Sequence, residues 1–338
     1  MEQGQMSVGK LRGLQEILNE RGVFAMVALD HRGSLRRALN PAAPTQVSPE
    51  TMTELKLLLT RALAPYASAV LLDPIYGAAQ AIGQGVLPGR TGLIVSLEAS
   101  GYEGDETARR TALIRGWDVA RIKRMGASAV KMLVYYHPEA ATANQQEHLV
   151  ATVGGSCQAH DIPFLLEPVS YSLDPSAAPK GSLAFARQRP QIVLESARRL
   201  AALGVDVLKA EFPSDLRYDT PEEALDHCRH LSEAITAPWV LLSAAADYEL
   251  FAEQVDIACR AGASGFLAGR AIWQEITRLR REEWEEFANT TCVERLTALI
   301  EIANAQARPY LPRAPIPQNW LETYEAYEPE PALAALTD

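Results

Sequence analysis

Short apolar runs alternate with amphipathic stretches along most of this chain, and that alternation restricts what it can fold into. The runs are "VFAMVALD" (23–30), "SAVLLD" (68–73), "GLIVSLE" (92–98), "SAVKMLVYY" (128–136), "IPFLLEP" (162–168), "VDVLKAE" (205–211), "APWVLLS" (237–243) and "ASGFLAG" (263–269). Near-continuous apolar strands separated by helices indicate a parallel sheet covered on both faces. Helical periodicity is read in "GKLRGLQEILNERG", with Leu11, Leu14, Ile17 and Leu18 on one face, and in "SPETMTELKLLLTRALAPY", "ETARRTALIRGWDVARIKRMG", "PQIVLESARRLAALG" and "ELFAEQVDIACRAG". A glycine closes several of these before the next run, as in "RMGASAV", "ALGVDVL" and "RAGASGFL", where a left-handed C-cap is expected. Eight such units predict a single (β/α)8 TIM barrel. The runner-up, an open doubly wound sheet, lacks a G-x-G-x-x-G after the first run.

With 338 residues, 48% of them hydrophobic, the chain has the apolar content for one large barrel. The expected organisation is an N-terminal helix (1–22), a catalytic barrel (23–307) and a C-terminal extension (308–338) that packs on the barrel or on a partner subunit of a homo-oligomer through Trp320, Tyr324 and Tyr327. Two stretches read as irregular, "VSYSLDPSAAPKGSLAFARQRP" after the fifth run and the C-terminal tail. The first has the length of a lid or binding loop. A net charge of −10 argues against nucleic acid and anionic membranes as partners, so an anionic ligand would need local positive groups. No apolar run is long enough to span a bilayer and the N-terminus lacks a signal-peptide pattern, so a cytoplasmic protein is expected. Cys157, Cys228, Cys259 and Cys292 form no C-x-x-C pair and read as reduced structural thiols.

Barrel enzymes carry their chemistry at the carboxyl ends of the strands. There this sequence places Asp30, Asp73, Glu98, Glu167, Lys209 and Ser243, with Lys131 inside the fourth run and Arg270 after the eighth. Asp73, before Pro74, also reads as turn chemistry, and Glu98 as a helix cap or a partner for a lysine. Lys131 should point into the barrel, where an ammonium needs a carboxylate such as Asp30 or Glu167. A second cation beside Lys209 disfavours its protonated form, and apolar walls act in the same direction. A neutral lysine amine attacks a ketone to give a Schiff base, an electron sink for carbon–carbon cleavage, with Glu167 placed to move protons. Ser243, Gly269 and Arg270 suit a phosphate, the glycine by allowing close approach and the arginine by a bidentate grip.

These residues resemble a family, the class I Schiff-base aldolases related to tagatose 1,6-bisphosphate aldolase. "KLRGLQEILNERGVFAMVALDHRGSLRRAL", "SLEASGYEG", "VKMLVYYHP", "FLLEP", "DVLKAEFP" and "LLSAAADYELF" with "AGASGFLAGRAIWQE" follow in that family's order over residues 8 to 280. The resemblance implies Lys209 as the Schiff-base lysine, Glu167 as the acid/base, Lys131 as its tuning and substrate-contacting partner, and Asp30 as the residue that orients hydroxyls and the lysine pair. It implies Ser243, Gly269 and Arg270 around the phosphate nearest the ketone, and Glu98 in a family-like position. It also implies no metal and no organic cofactor, a sugar-phosphate substrate, and cleavage to dihydroxyacetone phosphate and an aldehyde such as glyceraldehyde 3-phosphate. Where the family tends to show Ser-Ala-Gly after the seventh strand, this chain reads Ser243, Ala244, Ala245, Ala246, a departure that bears on the shape of the anion site. A sister branch cleaves 6-deoxy-6-sulfofructose 1-phosphate, which stands as the alternative substrate.

His31 and His137 are secondary candidates, His31 for substrate hydroxyls, with a structural histidine as the other reading of each. Metal-dependent catalysis would need clustered ligands at strand ends. Of the six histidines, His227 and His230 fall at i and i+3 of a helix and read as solvated surface. A non-catalytic sugar-phosphate sensor on the same fold is the remaining rival.

Overall fold

The computed structural model describes residues 6–244 and 246–312. Eight strands close in sequence order into a parallel barrel: β1 (Phe24–Leu29), β2 (Ala69–Leu72), β3 (Gly92–Ser96), β4 (Ala129–Tyr135), β5 (Phe164–Val169), β6 (Val207–Ala210), β7 (Trp239–Leu242) and β8 (Gly265–Ala268). The ring is completed by β1 against β8, with Phe24 opposite Gly265 and Val27 opposite Ala268. Each strand falls on one of the eight apolar runs, β5 extending one residue past its run to Val169. Helices cover the outside, so outward and inward strand faces are both buried, which is why these strands read as apolar runs rather than as alternation.

Local signals set the helices. Ser48 caps Pro49–Leu63 by accepting the Thr51 N–H, Thr220 and Glu223 form a reciprocal capping box at the start of Pro221–Ala234, and Asp247 accepts from the Leu250 N–H to open Tyr248–Arg260. Gly126, Gly204 and Gly262 take φ of 91°, 82° and 107° after their helices, the left-handed conformation that the glycine-terminated units predict.

The amino end of the barrel is plugged. Leu14 and Ile17, in and just after the helix Val8–Glu16, join one apolar cluster with inward residues of all eight strands, among them Met26, Leu71, Ile94, Leu165, Val207 and Leu267. Lys10 of the same helix donates to Asp206 at 2.8 Å, and Asp206 also accepts the Phe164 N–H. Tyr310 packs on the same cluster and stacks on Phe24, with ring centroids 6.0 Å apart. An apolar, sealed floor leaves the carboxyl end as the open mouth.

Two expected elements differ. The helix read over 106–126 is confined to Val119–Arg124. Gly116, at φ 71°, breaks the pattern, and Asp118 starts the helix by accepting the Arg121 N–H at 2.8 Å. The preceding segment is a flap held by antiparallel bridges Glu98 to Leu113 and Glu103 to Arg110. Arg109 packs over Tyr102, Tyr171 and Tyr135, at 4.4, 4.9 and 5.7 Å from the ring centres, tying the flap to β4 and to the loop after β5. The second difference lies in the stretch 169–190. It is irregular only to Ser182, which caps a helix Leu183–Ala201 that runs through Pro190. Trp320, Tyr324 and Tyr327 of the tail lie outside the described residues.

Candidate active site

Side chains on a strand alternate faces with a period of two, and that period builds the site. Below the mouth, Ala28, Ile94, Ala129, Leu165 and Val207 point into the barrel as part of the inner apolar cluster. Two residues on, the same faces carry Asp30, Ser96, Lys131, Glu167 and Lys209; two further on come Glu98, Leu133, Val169 and Glu211. Hydrophobic floor and polar mouth are thus successive layers of one pattern.

At the centre sits Lys131, essentially buried. Its ammonium contacts Asp30 Oδ2 at 2.9 Å, Glu98 Oε1 at 2.7 Å and Glu167 Oε2 at 2.8 Å. Lys209 Nζ donates to the same Glu167 oxygen at 2.9 Å. The two amines therefore share one acceptor and lie no farther apart than the sum of those two distances. Sequence reading offered Asp30 or Glu167 as the Lys131 partner, and Glu98 as a helix cap or a lysine partner; the structure supplies both of the first, and Glu98 is the lysine partner.

Burial is the largest influence on Lys131, Asp30, Glu167, Glu98 and His31, and for the first three the ion pairs outweigh it. Burial alone would discharge Lys131, but Asp30, Glu167 and Glu98 together hold its ammonium well above the usual lysine range. Burial raises Asp30 and Glu167, and both are pulled below the ordinary carboxylate range, Asp30 by Lys131, His31 and Lys209, and Glu167 by Lys131 and Lys209. Glu98 goes the other way: burial pushes it up, the Asp30 charge adds to the push, and Lys131 does not offset them. For His31, burial, with Arg270 and Lys209 nearby, brings the imidazolium down to about 3 against the pull of Asp30. The ring stands edge-on to Trp273 at 5.1 Å between centroids, a neutral imidazole at ordinary pH.

These groups line a cavity of about 450 Å³. Its far wall comes from β7 and β8: Ser243 Oγ accepts the Gly269 N–H at 3.2 Å, and Arg270 opens a short helix immediately after. A Cβ on Gly269 would fall 2.9 Å from His31 Cε1, so the glycine is what lets the backbone and His31 sit together. The Arg270 Nε is buried without a partner among the described residues. After Ser243, Ala244 takes φ 43° in a turn closed by the Ala246 N–H on the Ser243 carbonyl at 2.8 Å. The position where the family tends to show glycine, Ala245, lies outside the described residues, and the left-handed strain falls on Ala244.

Some cavity residues were missed by sequence reading. Arg32, Ser34 and Arg37 follow β1, Ser100 follows β3, Lys180 and Arg189 come from the β5 side, and Glu211 from the end of β6. Lys180 donates to Glu211 Oε1 and to the Ser170 carbonyl, each at 2.8 Å, while Glu211 Oε2 accepts the Ser170 N–H. The period of two beyond Lys209 was the available signal for Glu211; nothing local marked Lys180, which reaches the mouth from a loop. Seven lysines and arginines face four acids across this cavity, so the mouth is locally cationic in a chain of net charge −10.

Other candidates fall away from the cavity. Asp73 is fully buried, pairs with Lys56 and accepts the Ile75 and Tyr76 N–H groups at 2.9 Å, which is turn chemistry and a structural ion pair. His137 Nδ1 accepts the Glu139 N–H at 3.1 Å, a loop contact. His227 is not solvated helix surface: its Nδ1 is 2.6 Å from the buried Ser214 Oγ. All four cysteines are free and buried. Among the described residues no three His, Cys, Asp or Glu side chains form a metal-ligand cluster, and no helix is long and apolar enough to cross a membrane.

Residues 24–275 match the family model described as "DeoC/LacD family aldolase". The chain belongs to the DeoC/LacD aldolase family. Curated relatives of this aldolase include the tagatose 1,6-diphosphate aldolase of Listeria monocytogenes, 34% identical over 328 residues, covering 90% of this chain and 95% of the relative. Tagatose 1,6-diphosphate aldolase 2 of Streptococcus agalactiae is 33% identical, covering 82% and 89%. Among solved structures, an archaeal fructose 1,6-bisphosphate aldolase shares the fold at a TM-score of 0.55 and 21% identity, covering 87% of this chain and 99% of that one. The protein is accordingly a lyase of the class I aldolase type.

Proposed function

We propose that this aldolase reversibly cleaves a phosphorylated ketose of the tagatose 1,6-bisphosphate type to dihydroxyacetone phosphate and an aldehyde such as glyceraldehyde 3-phosphate, through a Schiff base on Lys209. The observation that carries the reading is the single Glu167 oxygen shared by Lys209 and Lys131, at 2.9 and 2.8 Å. Lys209 adds to the ketone carbon to give a carbinolamine. Glu167, in hydrogen-bond reach of the amine, takes a proton from the Lys209 nitrogen in the addition and passes it to the carbinolamine hydroxyl, which leaves as water, and an iminium forms. As a carboxylate it then takes the proton from the hydroxyl on the far carbon of the bond to be broken, the oxygen that becomes the aldehyde carbonyl. That bond's electron pair moves into the iminium to give an enamine, and the aldehyde departs. Protonation of the enamine carbon and hydrolysis release dihydroxyacetone phosphate and the free amine.

Lys131, held as a permanent ammonium, keeps Glu167 in the ionised form that the second proton transfer requires, and Asp30 completes its charge balance. Ser243, Gly269 and Arg270 suit the phosphate next to the ketone, and the unpartnered Arg270 donor supports an anion there. Arg32 and Arg37, which line the same cavity after β1, suit the distal anion. His31, which lines the same cavity as a neutral imidazole, suits sugar hydroxyls. Names of relatives support phosphate at the distal position; a sulfonate would meet the same arginines, and a screen of both ketoses decides between them.

The test is borohydride reduction of the intact protein with dihydroxyacetone phosphate in EDTA, followed by peptide mapping. A stable adduct on Lys209, absent from Lys209→Met, is the expected outcome. Bound ligand without any trapped lysine would overturn the reading in favour of a sensor.

A further inference from the structure

Three carboxyl groups converge on one ammonium at the centre of the cavity, and they are not equivalent. Asp30 and Glu167 each face further positive or polar groups: His31 stands 3.6 Å from Asp30, and Glu167 holds Lys209 as well as Lys131. Glu98 uses only Oε1, on Lys131 at 2.7 Å. Its Oε2 is buried with no hydrogen-bond partner among the described residues, and the side chain lines the cavity. A buried carboxylate oxygen without a partner is costly, and a third negative charge packed on Lys131 beside Asp30 and Glu167 adds like-charge repulsion. One proton on the cluster removes both difficulties. Glu98 is the member that burial and the neighbouring Asp30 push toward the protonated form.

We propose that Glu98 serves as a neutral carboxylic acid, accepting from Lys131 on Oε1 and donating from Oε2 to a substrate oxygen: the hydroxyl beside the cleaved bond in the ketose, and the aldehyde carbonyl oxygen after cleavage. This rests on the aldolase reading above and assigns a catalytic group that the reading leaves idle. Glu98 undergoes no net proton transfer; Glu167 moves the protons. In the condensation direction the Glu98 hydrogen bond polarises the aldehyde carbonyl as the enamine attacks it, the position where a fixed donor lowers the barrier most. It also makes Glu98 a stereochemical selector. An epimer whose hydroxyl points elsewhere leaves Oε2 buried and unpaired, a penalty that a merely apolar pocket could not impose. The charged and titratable groups facing Glu98 are Lys131 and Tyr135 from β4, Asp30 and Arg32 at the end of β1, Glu167 from β5 and Lys209 from β6. Raising the pH removes the donor proton and adds a negative charge to this set, so activity falls on the alkaline side.

The decisive comparison is Glu98→Gln with Glu98→Leu. Glutamine presents a carbonyl to Lys131 and an N–H to the substrate without titrating, so Glu98→Gln should keep a kcat/KM well above that of Glu98→Leu while the alkaline limb assigned to Glu98 disappears. Leucine removes both functions and should cost about 10²–10³-fold, the range for loss of a preorganised donor. Infrared difference spectra of the wild-type protein should contain a protonated-carboxyl band that is missing in Glu98→Gln, a readout independent of whether Glu98→Leu folds. If Glu98→Gln is as inactive as the leucine variant although borohydride still traps Lys209, Glu98 acts as a carboxylate and the proposal fails while the aldolase reading stands. Absence of the infrared band overturns it equally. Failure to trap Lys209 in the wild type would instead remove the aldolase reading itself.

Discussion

Replacing Lys131 with methionine probes the charge balance of the whole site. The substitution keeps the length of the side chain and deletes one ammonium that touches three carboxyl groups at 2.7 to 2.9 Å. Breaking a buried pair by removing one partner costs about 3–5 kcal/mol, because the other charge is left uncompensated. Here the remaining groups can relieve that cost by taking up a proton, and this fixes the sign of the pH dependence. In the wild type, Asp30 and Glu167 are held below their unfolded range, so their contribution is present above that range and is lost as pH falls through the folded values. Without Lys131 the folded cluster binds protons more tightly than the unfolded chain, so the variant loses stability as pH rises. One extra proton held by the folded state gives a slope of about 1.4 kcal/mol per pH unit. Between pH 5 and 8 that accumulates to about 4 kcal/mol, in line with the direct figure. Denaturant midpoints for both proteins at pH 5, 6, 7 and 8 measure it. The variant should lie close to the wild type at pH 5 and fall progressively behind it toward pH 8. A constant difference across the series, or none at pH 8, would refute Lys131 as the compensating charge of the cluster.

Two further outcomes follow from particular residues. Ala244 at φ 43° carries the steric cost of a left-handed L-residue, about 1–2 kcal/mol, part of which glycine returns to the unfolded chain as entropy; Ala244→Gly should therefore stabilise the protein by about 0.5–1 kcal/mol in urea denaturation, and a destabilised variant would contradict the strained turn. Lys180→Met leaves the buried Glu211 without its ammonium. The cost at neutral pH should be about 1–3 kcal/mol, discounted because Lys180 is 42% exposed, and it should vanish as pH falls through the carboxylate range, since Glu211 is held low by Lys180 and Arg189 against burial. Limited proteolysis should show earlier cleavage within 170–182, and an unchanged cleavage pattern would dissociate the ion pair from the loop.

The strands were legible because a barrel buried on both faces demands continuous apolar runs, and a demand of that kind is written locally. Asp30, Glu167 and Lys209 were legible for the same reason: a charge at the end of such a run is conspicuous. The flap across 98–118 was not. Its residues carry helical periodicity, and what overrides it is Arg109 packed among Tyr102, Tyr135 and Tyr171, contacts brought together from three loops and strands. Lys180 was likewise invisible, because its partner Glu211 lies 31 residues away in sequence.

By itself the sequence determined the barrel and the strand-end residues at its mouth, since strand period and strand-end polarity depend only on neighbours along the chain. Tertiary structure alone decided that Lys131 has three carboxyl partners, that Glu167 shares one oxygen between two amines, and that Glu98 keeps one oxygen free. Protonation states in such a cluster arise from burial and from charges on different strands acting together, and closure of the barrel is what sets those distances.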